Sequence, residues 1–333
     1  MSLLAGTVTG MGHWPGASMA EAITTVLGEL AGHGVPFQPM MQDRGAGSDP
    51  VGQAAVLLVD MPVEASATGY RLAQHHGIIG RRARDWHNRD TDQVVEAWET
   101  SGGAPTWKIQ VTGPVTLGRR IELPNGHAVL EDRGALRDLA ASLAEGVARH
   151  VARLEHSLGC KVIVEWLEPA LQEALDGSSK PLSILQPPRR LPAPEAVGLW
   201  AACAGIGADQ AVRCGAAVPW SVVADGPFGT IVVGTDATSA GSSLRDSALI
   251  DGLGRWFDTG RHGVLAVDGR EDARTVARRI LALGREAGLG GEQLLERVGI
   301  AFDGSQAGSS REMVAGFRHA RSVRAAFSEV GER

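Results

Sequence analysis

The sequence predicts an α/β fold, a single (β/α)8 barrel of the TIM type with insertions. Two observations predict it. Eight short apolar runs recur along the 333-residue chain, and several are separated by segments of helical periodicity. This alternation is typical of a parallel sheet covered by helices. The length also accommodates one barrel of about 250 residues plus insertions, so we expect one domain over residues 1–333.

The eight apolar runs are the predicted strands. Between the fourth and fifth runs no clean helix is visible, and the proline-rich residues 176–197 are expected to form an irregular loop. Residues 62–90 are expected to form an insertion before a helix at residues 90–100. The predicted strands are residues 4–9, 36–41, 107–111, 162–166, 199–203, 220–224, 264–267 and 298–302.

Four helices carry boundary signals. Two begin with a Ser followed three residues later by Glu, which is the capping-box pattern. A third begins with Asp before Pro, and a fourth begins with Asp and ends at Gly. The residue pairs are Ser18 with Glu21, Ser309 with Glu312, Asp49 with Pro50, and Asp132 with Gly159.

Charge and composition limit the class of partner. The net charge is −6 with basic residues dispersed, so neither nucleic acid nor a membrane surface is expected as a partner. No apolar run reaches the length of a membrane span, and the first residues do not resemble a signal peptide. Three cysteines are too few for a disulfide framework, so we expect a cytoplasmic protein that acts on a small molecule. The sequence leaves its oligomeric state open.

Barrel enzymes carry their chemistry after the carboxyl ends of the strands. His13 and Trp14 follow the first predicted strand. His13 is a candidate acid, base or hydrogen-bond donor at neutral pH, and Trp14 is a candidate for stacking on a ligand. The alternative is a glycine-rich turn with a packing Trp.

Five further polar residues lie near the ends of the next three strands. Asp43 and Arg44 would bind a zwitterion or pair with each other, and Gln110 would line the site from the third strand. Glu165 and Glu168 flank the end of the fourth strand and are candidates for acid–base chemistry. Alternatively, one is a buried paired acid and the other begins a helix.

Two residues are candidate metal ligands. Cys203 ends the fifth predicted strand, where a thiolate would be a nucleophile or ligand, although a lone buried Cys is more often a small apolar residue. Asp225 follows the sixth strand, either toward a ligand or in a Gly-containing turn. His127, His150 and His156 are expected on the surface.

Four segments, in order along nearly the whole chain, resemble a known family. Two are the more specific: KIQVTGPVTL at residues 108–117 and VIVEWLEPAL at residues 162–171. With residues 9–15 and 303–308, they are similar to the C-terminal domain of cobalamin-independent methionine synthase, which shares its barrel with uroporphyrinogen decarboxylase. The resemblance implies methyl transfer from methyltetrahydrofolate to homocysteine.

The family also implies zinc, held by His, Cys, Glu and a second Cys. By resemblance, Cys203 and Asp225 are the candidate ligands that remain. Ala201 and Gly304 stand where the family has its His and second Cys, and Leu167 stands where an Asp binds the substrate amine. The resemblance therefore implies a degraded zinc site.

Three functions remain open from the sequence. The first is a zinc-dependent methyltransferase of the methionine synthase type. The second is a non-catalytic relative that binds a folate or an amino acid. The third is a metal-free enzyme of the decarboxylase type, in which His13 and Glu165 would donate protons.

Overall fold

A computed structural model describes residues 2–178, 188–235 and 247–331. Within these ranges there are ten strands, and all but three belong to one sheet. The strands are β1 (Val8–Gly10), β2 (Val63–Ser66), β3 (Gly69–Leu72), β4 (Thr106–Thr112), β5 (Ile121–Glu122), β6 (Lys161–Glu168), β7 (Asp209–Cys214), β8 (Thr230–Val233), β9 (His262–Val267) and β10 (Val298–Phe302).

Helices connect most of these strands, and twelve lie in the described ranges. They are α1 (Met19–Leu30), α2 (Pro50–Ala55), α3 (Ile78–Ser101), α4 (Pro114–Arg120), α5 (Arg133–Leu158), α6 (Leu171–Asp176), α7 (Ala193–Cys203), α8 (Trp220–Ala224), α9 (Ser247–Asp258), α10 (Ala273–Glu286), α11 (Gly291–Arg297) and α12 (Ser310–Gly331).

The main sheet has seven strands in the order β1-β10-β9-β8-β7-β6-β4, and every pair is parallel. The predicted α/β class with a parallel sheet is therefore confirmed. The buried apolar residues form two separate clusters. A small cluster lies on the inner face of the sheet, and a larger core lies beneath the helices. Six of these inner residues are Ile163, Ala211, Val232, Val264, Ala266 and Ala301.

The second predicted strand is not a regular strand. Residues 36–41, which we call the bridging segment, form isolated parallel bridges to both edges of the sheet. Gln38 N donates to Lys108 O at 2.7 Å, and Met40 N donates to Gly12 O at 2.7 Å. The segment thus lies between β1 and β4, where a barrel would have its eighth strand.

The fifth and sixth predicted strands were wrong. Residues 199–203 lie in α7, and residues 220–224 form α8. Short apolar runs do not distinguish a buried helix from a strand, and Pro192 and Pro219 at the two N-caps were the available helix signals. The strands that follow these two helices are β7 and β8. Helix α7 therefore lies in the connection between β6 and β7, where no helix was expected.

All four predicted helix starts were confirmed. The side chains of Ser18, Asp49, Asp132 and Ser309 each accept a backbone N–H in the first turn of α1, α2, α5 and α12. Gly159 ends α5 with a φ of 62°, a conformation that glycine adopts without strain.

The predicted insertion at residues 62–90 contains a small sheet. Strands β2 and β3 form an antiparallel hairpin, and β3 pairs with β5. The following helix begins at Ile78 instead of Asp90. Within the predicted loop at 176–197, α7 begins at Ala193, and residues 179–187 lie outside the described residues. No helix in the described ranges is long and apolar enough to cross a membrane.

Candidate ligand-binding site

A cavity of about 610 Å³ opens where the strands of the main sheet end, which we call the mouth cavity. Its polar lining comes from the ends of β4 and β7, from the residues that follow β1 and β10, and from α4, whereas Leu167, Val218, Trp220 and Leu249 supply apolar walls. Six lining residues bear on the chemistry of the cavity or on the family resemblance of the sequence: His13, Thr112, Leu167, Arg213, Cys214 and Asp303.

Arg213, which lines the mouth cavity, belongs to a buried layer of charge with Lys108 and Glu165, which we call the charged floor. Lys108 and Glu165 are fully buried, and the Lys108 ammonium donates to the Glu165 carboxylate and to Gly10 O, the latter at 2.7 Å. Arg213 Nε forms an ion pair with Glu165 Oε1 at 2.8 Å. Arg213 also donates to Met11 O at 2.9 Å. Two cations therefore share one carboxylate.

The pKa values of the floor follow from burial and mutual charge. Burial raises the pKa of Glu165, but Arg213 and Lys108 together hold it below its ordinary value. Burial lowers the pKa of Lys108, and the attraction of Glu165 opposes this only in part. Glu165 is thus an ionised structural partner, which makes it a poor proton donor and favours the paired-acid interpretation over the catalytic one.

His13 lies above this floor and faces the mouth cavity. Burial lowers its pKa, Arg213 lowers it further, and Asp303 and Glu165 act in the opposite direction. The ring is therefore neutral near pH 7. Gln42 Nε2 lies 3.2 Å from His13 Nδ1, and with Gln42 as the donor the ring keeps its proton on Nε2.

Glu168 lies outside the cavity lining and is fully buried. It accepts from the backbone N–H groups of Val115 and Thr116 at 3.1 and 2.7 Å, and from Trp200 Nε1 at 2.9 Å. A Cβ at Gly113 would fall 2.3 Å from its carboxylate. Burial raises the Glu168 pKa, and these hydrogen bonds oppose the rise. Glu168 therefore stabilises the start of α4 by accepting hydrogen bonds from backbone N–H groups of its first turn.

Three of the predicted substrate-binding residues are also absent from the mouth cavity lining. Trp14 is buried and packs on Phe317, with ring centroids 6.5 Å apart. Asp43 accepts from Gly16 N at 2.9 Å. Arg44 pairs with Asp90 at 2.8 Å instead of with Asp43. These contacts favour a structural role for all three, but the expected pairing of Asp43 with Arg44 was wrong.

The fourth, Gln110, lines a second cavity of about 80 Å³, which we call the side chamber. It lies between the bridging segment, β4 and helices α2, α3 and α5. Met40 lines both the side chamber and the mouth cavity. The amide nitrogen and oxygen of Gln110 are buried and have no hydrogen-bond partner within the described ranges.

Two histidines form part of the chamber wall. His87 and His150 pack with ring centroids 4.6 Å apart, so His150 does not lie free on the surface as expected. Burial lowers the pKa of His87 to about 4, with Arg153 and Arg84 adding to the shift. Burial, His87 and Arg153 lower the pKa of His150 to about 3.

This pair predicts a loss of stability in acid. Both folded-state pKa values lie below the unfolded value of about 6.5. At pH values between the folded and unfolded pKa values, the unfolded chain therefore binds more protons than the folded protein does. Stability is then unaffected above pH 6.5 and falls as the pH drops toward 4, by at most about 1.4 kcal/mol per pH unit for each histidine. Urea unfolding at pH 7 and pH 5 measures this difference. The double variant His87→Gln, His150→Gln should flatten it, whereas the exposed His156→Gln should not; an unchanged difference in the double variant would contradict the assignment.

The candidate metal ligands are not brought together. Cys203 is in α7, where its thiol contacts Leu199 O and burial raises its pKa to about 12. Asp225 is exposed at the end of α8. Across the described ranges, no group of three or more His, Cys, Asp or Glu side chains could hold a metal. The residues therefore do not fit the zinc site that the resemblance implies.

Sequence reasoning missed two cavity residues and undervalued a third. Arg213 and Cys214 end β7, a strand that was not predicted. The available signal was Arg213 itself, a charged residue in the short run QAVRC. Cys214 is half-buried, and burial and Glu168 raise its pKa. Asp303 was interpreted either as a ligand contact or as a turn residue, and it lines the mouth cavity.

Comparison with solved structures finds chains of similar fold at low sequence identity. A B12-independent methionine synthase from Shewanella sp. W3-18-1, in complex with selenomethionine, superposes with a TM-score of 0.61 at 10% identity over 98% of each chain. A methyltransferase from Methanosarcina mazei superposes with a TM-score of 0.54 at 13% identity, over 99% of this chain and 94% of that one. No family model and no curated protein matches the sequence.

Proposed function

We propose that this protein binds a small zwitterionic metabolite of the α-amino-acid class in the mouth cavity. The observation that carries the proposal is the placement of opposite charges around one neutral ring. Arg213 and Asp303 both line the cavity, and the charges of both act on His13. A carboxylate would pair with Arg213, whose planar guanidinium suits that group, and an ammonium would pair with Asp303.

Charged groups of both signs among the described lining residues support a zwitterion over a simple anion. Arg213 lines the cavity, and the Glu165 carboxylate with which it pairs is shared with Lys108. Asp303 adds one negative charge, its carboxylate accepting from Ser305 N at 2.9 Å and lying 3.5 Å from Thr235 Oγ1. Because buried charge is stabilised only when it is paired, a ligand with both signs matches this cavity best.

The walls specify the rest of the ligand. Leu167, Val218, Trp220 and Leu249 surround the space beyond the charged groups, and this apolar surface favours an aliphatic or thioether side chain. The Shewanella methionine synthase of similar fold was solved with selenomethionine, an amino acid of this kind. That likeness supports the proposal without assigning the site of binding.

The zinc route of methionine synthase forms no part of this proposal. Thiol activation by zinc needs about four ligands, or three and an open position. Cys203 points into the core and Asp225 into solvent. The residues that remain at the cavity, His13 and Arg213, serve instead to bind and orient a ligand, with the neutral His13 ring donating a hydrogen bond from Nε2.

Arg213→Met should weaken binding of L-norleucine by about 30-fold or more, because removing one member of a buried charged pair costs at least about 2 kcal/mol. Asp303→Asn should weaken the same ligand by removing the ammonium partner. Isothermal titration calorimetry measures both effects. Arg120→Met is the matched control, since Arg120 also lines the cavity and also pairs with a carboxylate, but its side chain is 47% exposed against 11% for Arg213. Equal losses in the Arg213 and Arg120 variants would contradict the proposal.

A further inference from the structure

We infer that the side chamber is a second part of the same binding site and takes an uncharged carboxamide at the far end of the ligand. The inference rests on the proposed function for the amino-acid end of that ligand. The ligand is then an amino acid or short amino-acid conjugate whose aliphatic part contacts the apolar walls and whose terminal amide enters the side chamber.

The chamber adjoins the charged floor. Arg213 donates to Met11 O at 2.9 Å, and the next residue, Gly12, packs against Gln110. A Cβ at Gly12 would fall 2.9 Å from the Gln110 amide carbon and 2.8 Å from the Met40 methyl group. Met11 lines the mouth cavity and Gln110 lines the side chamber, so two adjacent residues of one segment contact both parts.

The wall between the two cavities is narrow and flexible. Met40 lines both cavities, and its unbranched thioether has three rotatable bonds, so it can move aside at little cost. Gly12 has a φ of 97°, a conformation that a residue with a side chain rarely adopts. The absence of a side chain at Gly12 leaves the space that Gln110 and Met40 occupy.

The chamber is electrically neutral, which excludes a charged occupant. Arg44 and Asp90 neutralise each other at 2.8 Å. His87 and His150 are uncharged near pH 7, because burial lowers both of their pKa values. An ionised group without a partner is costly to bury, so the matching ligand group is polar and uncharged.

Gln110 specifies which uncharged group fits. Four other polar side chains of the chamber are bonded within the protein: Ser48 to Gln42 O, Gln53 to Gly47 O, Thr91 to His87 O and Gln38 to Met19 Sδ. Gln110 alone among these presents an unpaired donor and an unpaired acceptor side by side. A carboxamide offers the complementary acceptor and donor, and the chamber has room for several waters or one such group.

Calorimetric titration of wild type and Gln110→Met with L-glutamine, L-glutamate and L-norleucine tests the inference. We expect wild type to bind L-glutamine at least 10-fold more tightly than L-glutamate. Gln110→Met should lose at least 10-fold for L-glutamine and change less than twofold for L-norleucine. The ligand-free variant should be at least as stable as wild type, because the substitution removes a buried unpaired amide.

The two proposals fail in different ways. Equal affinity of wild type for L-glutamine and L-glutamate, or unchanged L-glutamine binding by Gln110→Met, would overturn the inference while the amino-acid site stands. If no amino acid binds, the proposed function fails, and binding of acetamide then tests the side chamber separately. A saturable rise in Tm with acetamide, absent with acetate and absent in Gln110→Met, supports the subsite; no saturable rise overturns it.

Discussion

Replacing Glu165 with alanine should lower the free energy of unfolding by about 3–5 kcal/mol, the range for breaking a buried ion pair from one side. The carboxylate is fully buried and shared by Lys108 and Arg213. Its removal leaves two buried cations without a counter-ion. Equilibrium unfolding in urea at pH 7 measures the loss.

The control for Glu165 is an exposed carboxylate in a similar pair. Glu145 pairs with Arg149 one helical turn away and is half exposed, so Glu145→Ala should cost less than about 0.5 kcal/mol. Adding Lys108→Met to Glu165→Ala should recover part of the loss, because one uncompensated cation is removed. A loss below 1 kcal/mol for Glu165→Ala would show that the charged floor does not exist as described.

Glu168→Ala should have an effect of comparable size for a different reason. Its carboxylate is the acceptor for Val115 N, Thr116 N and Trp200 Nε1. Alanine leaves these three buried donors unpaired and opens a cavity, and each unpaired donor costs about 1–3 kcal/mol. We therefore expect a loss of at least about 3 kcal/mol in urea unfolding.

Trp200→Phe provides the comparison for Glu168, because it removes one of the three donors and keeps the aromatic packing on Phe228. Its cost should be about 1 kcal/mol. Circular dichroism would show that both variants retain the fold. If Glu168→Ala costs no more than Trp200→Phe, the carboxylate does not hold the start of α4, and an interpretation of Glu168 as a ligand-binding group regains support.

The parallel sheet could be predicted because its strands are apolar and bounded by helices with strong start signals. Asp132 and Gly159, for example, mark both ends of α5 in the sequence itself. Strand β7 was not predicted, because Gln210 and Arg213 interrupt its apolar pattern. Both residues have tertiary contacts that a local pattern does not reveal: Arg213 lines the mouth cavity, and Gln210 accepts from Trp166 Nε1 at 3.0 Å. Local patterns fail most readily where a strand carries a site.

The sequence predicted the position of the candidate site at the edge of the sheet better than it predicted which residues line it. His13 was found because it follows β1 at the end of the sheet where barrel chemistry lies. Glu168 and Trp14 were near the same edge, but their side chains turn into the core. Sequence position gives the end of the sheet, whereas the direction of a side chain in a turn depends on tertiary contacts. That is also why the Arg44–Asp90 pair could not be foreseen across 46 residues.

The central claim is that the mouth cavity binds both charges of an amino acid, and one calorimetric series on the wild-type protein tests it most directly. L-Norleucine is compared with hexanoate, which lacks the amino group, and with pentylamine, which lacks the carboxylate. We predict saturable binding of L-norleucine and at least 10-fold weaker binding of each partial ligand. Binding of hexanoate as tight as that of L-norleucine would contradict the role of Asp303, and no binding of L-norleucine would contradict the proposed function.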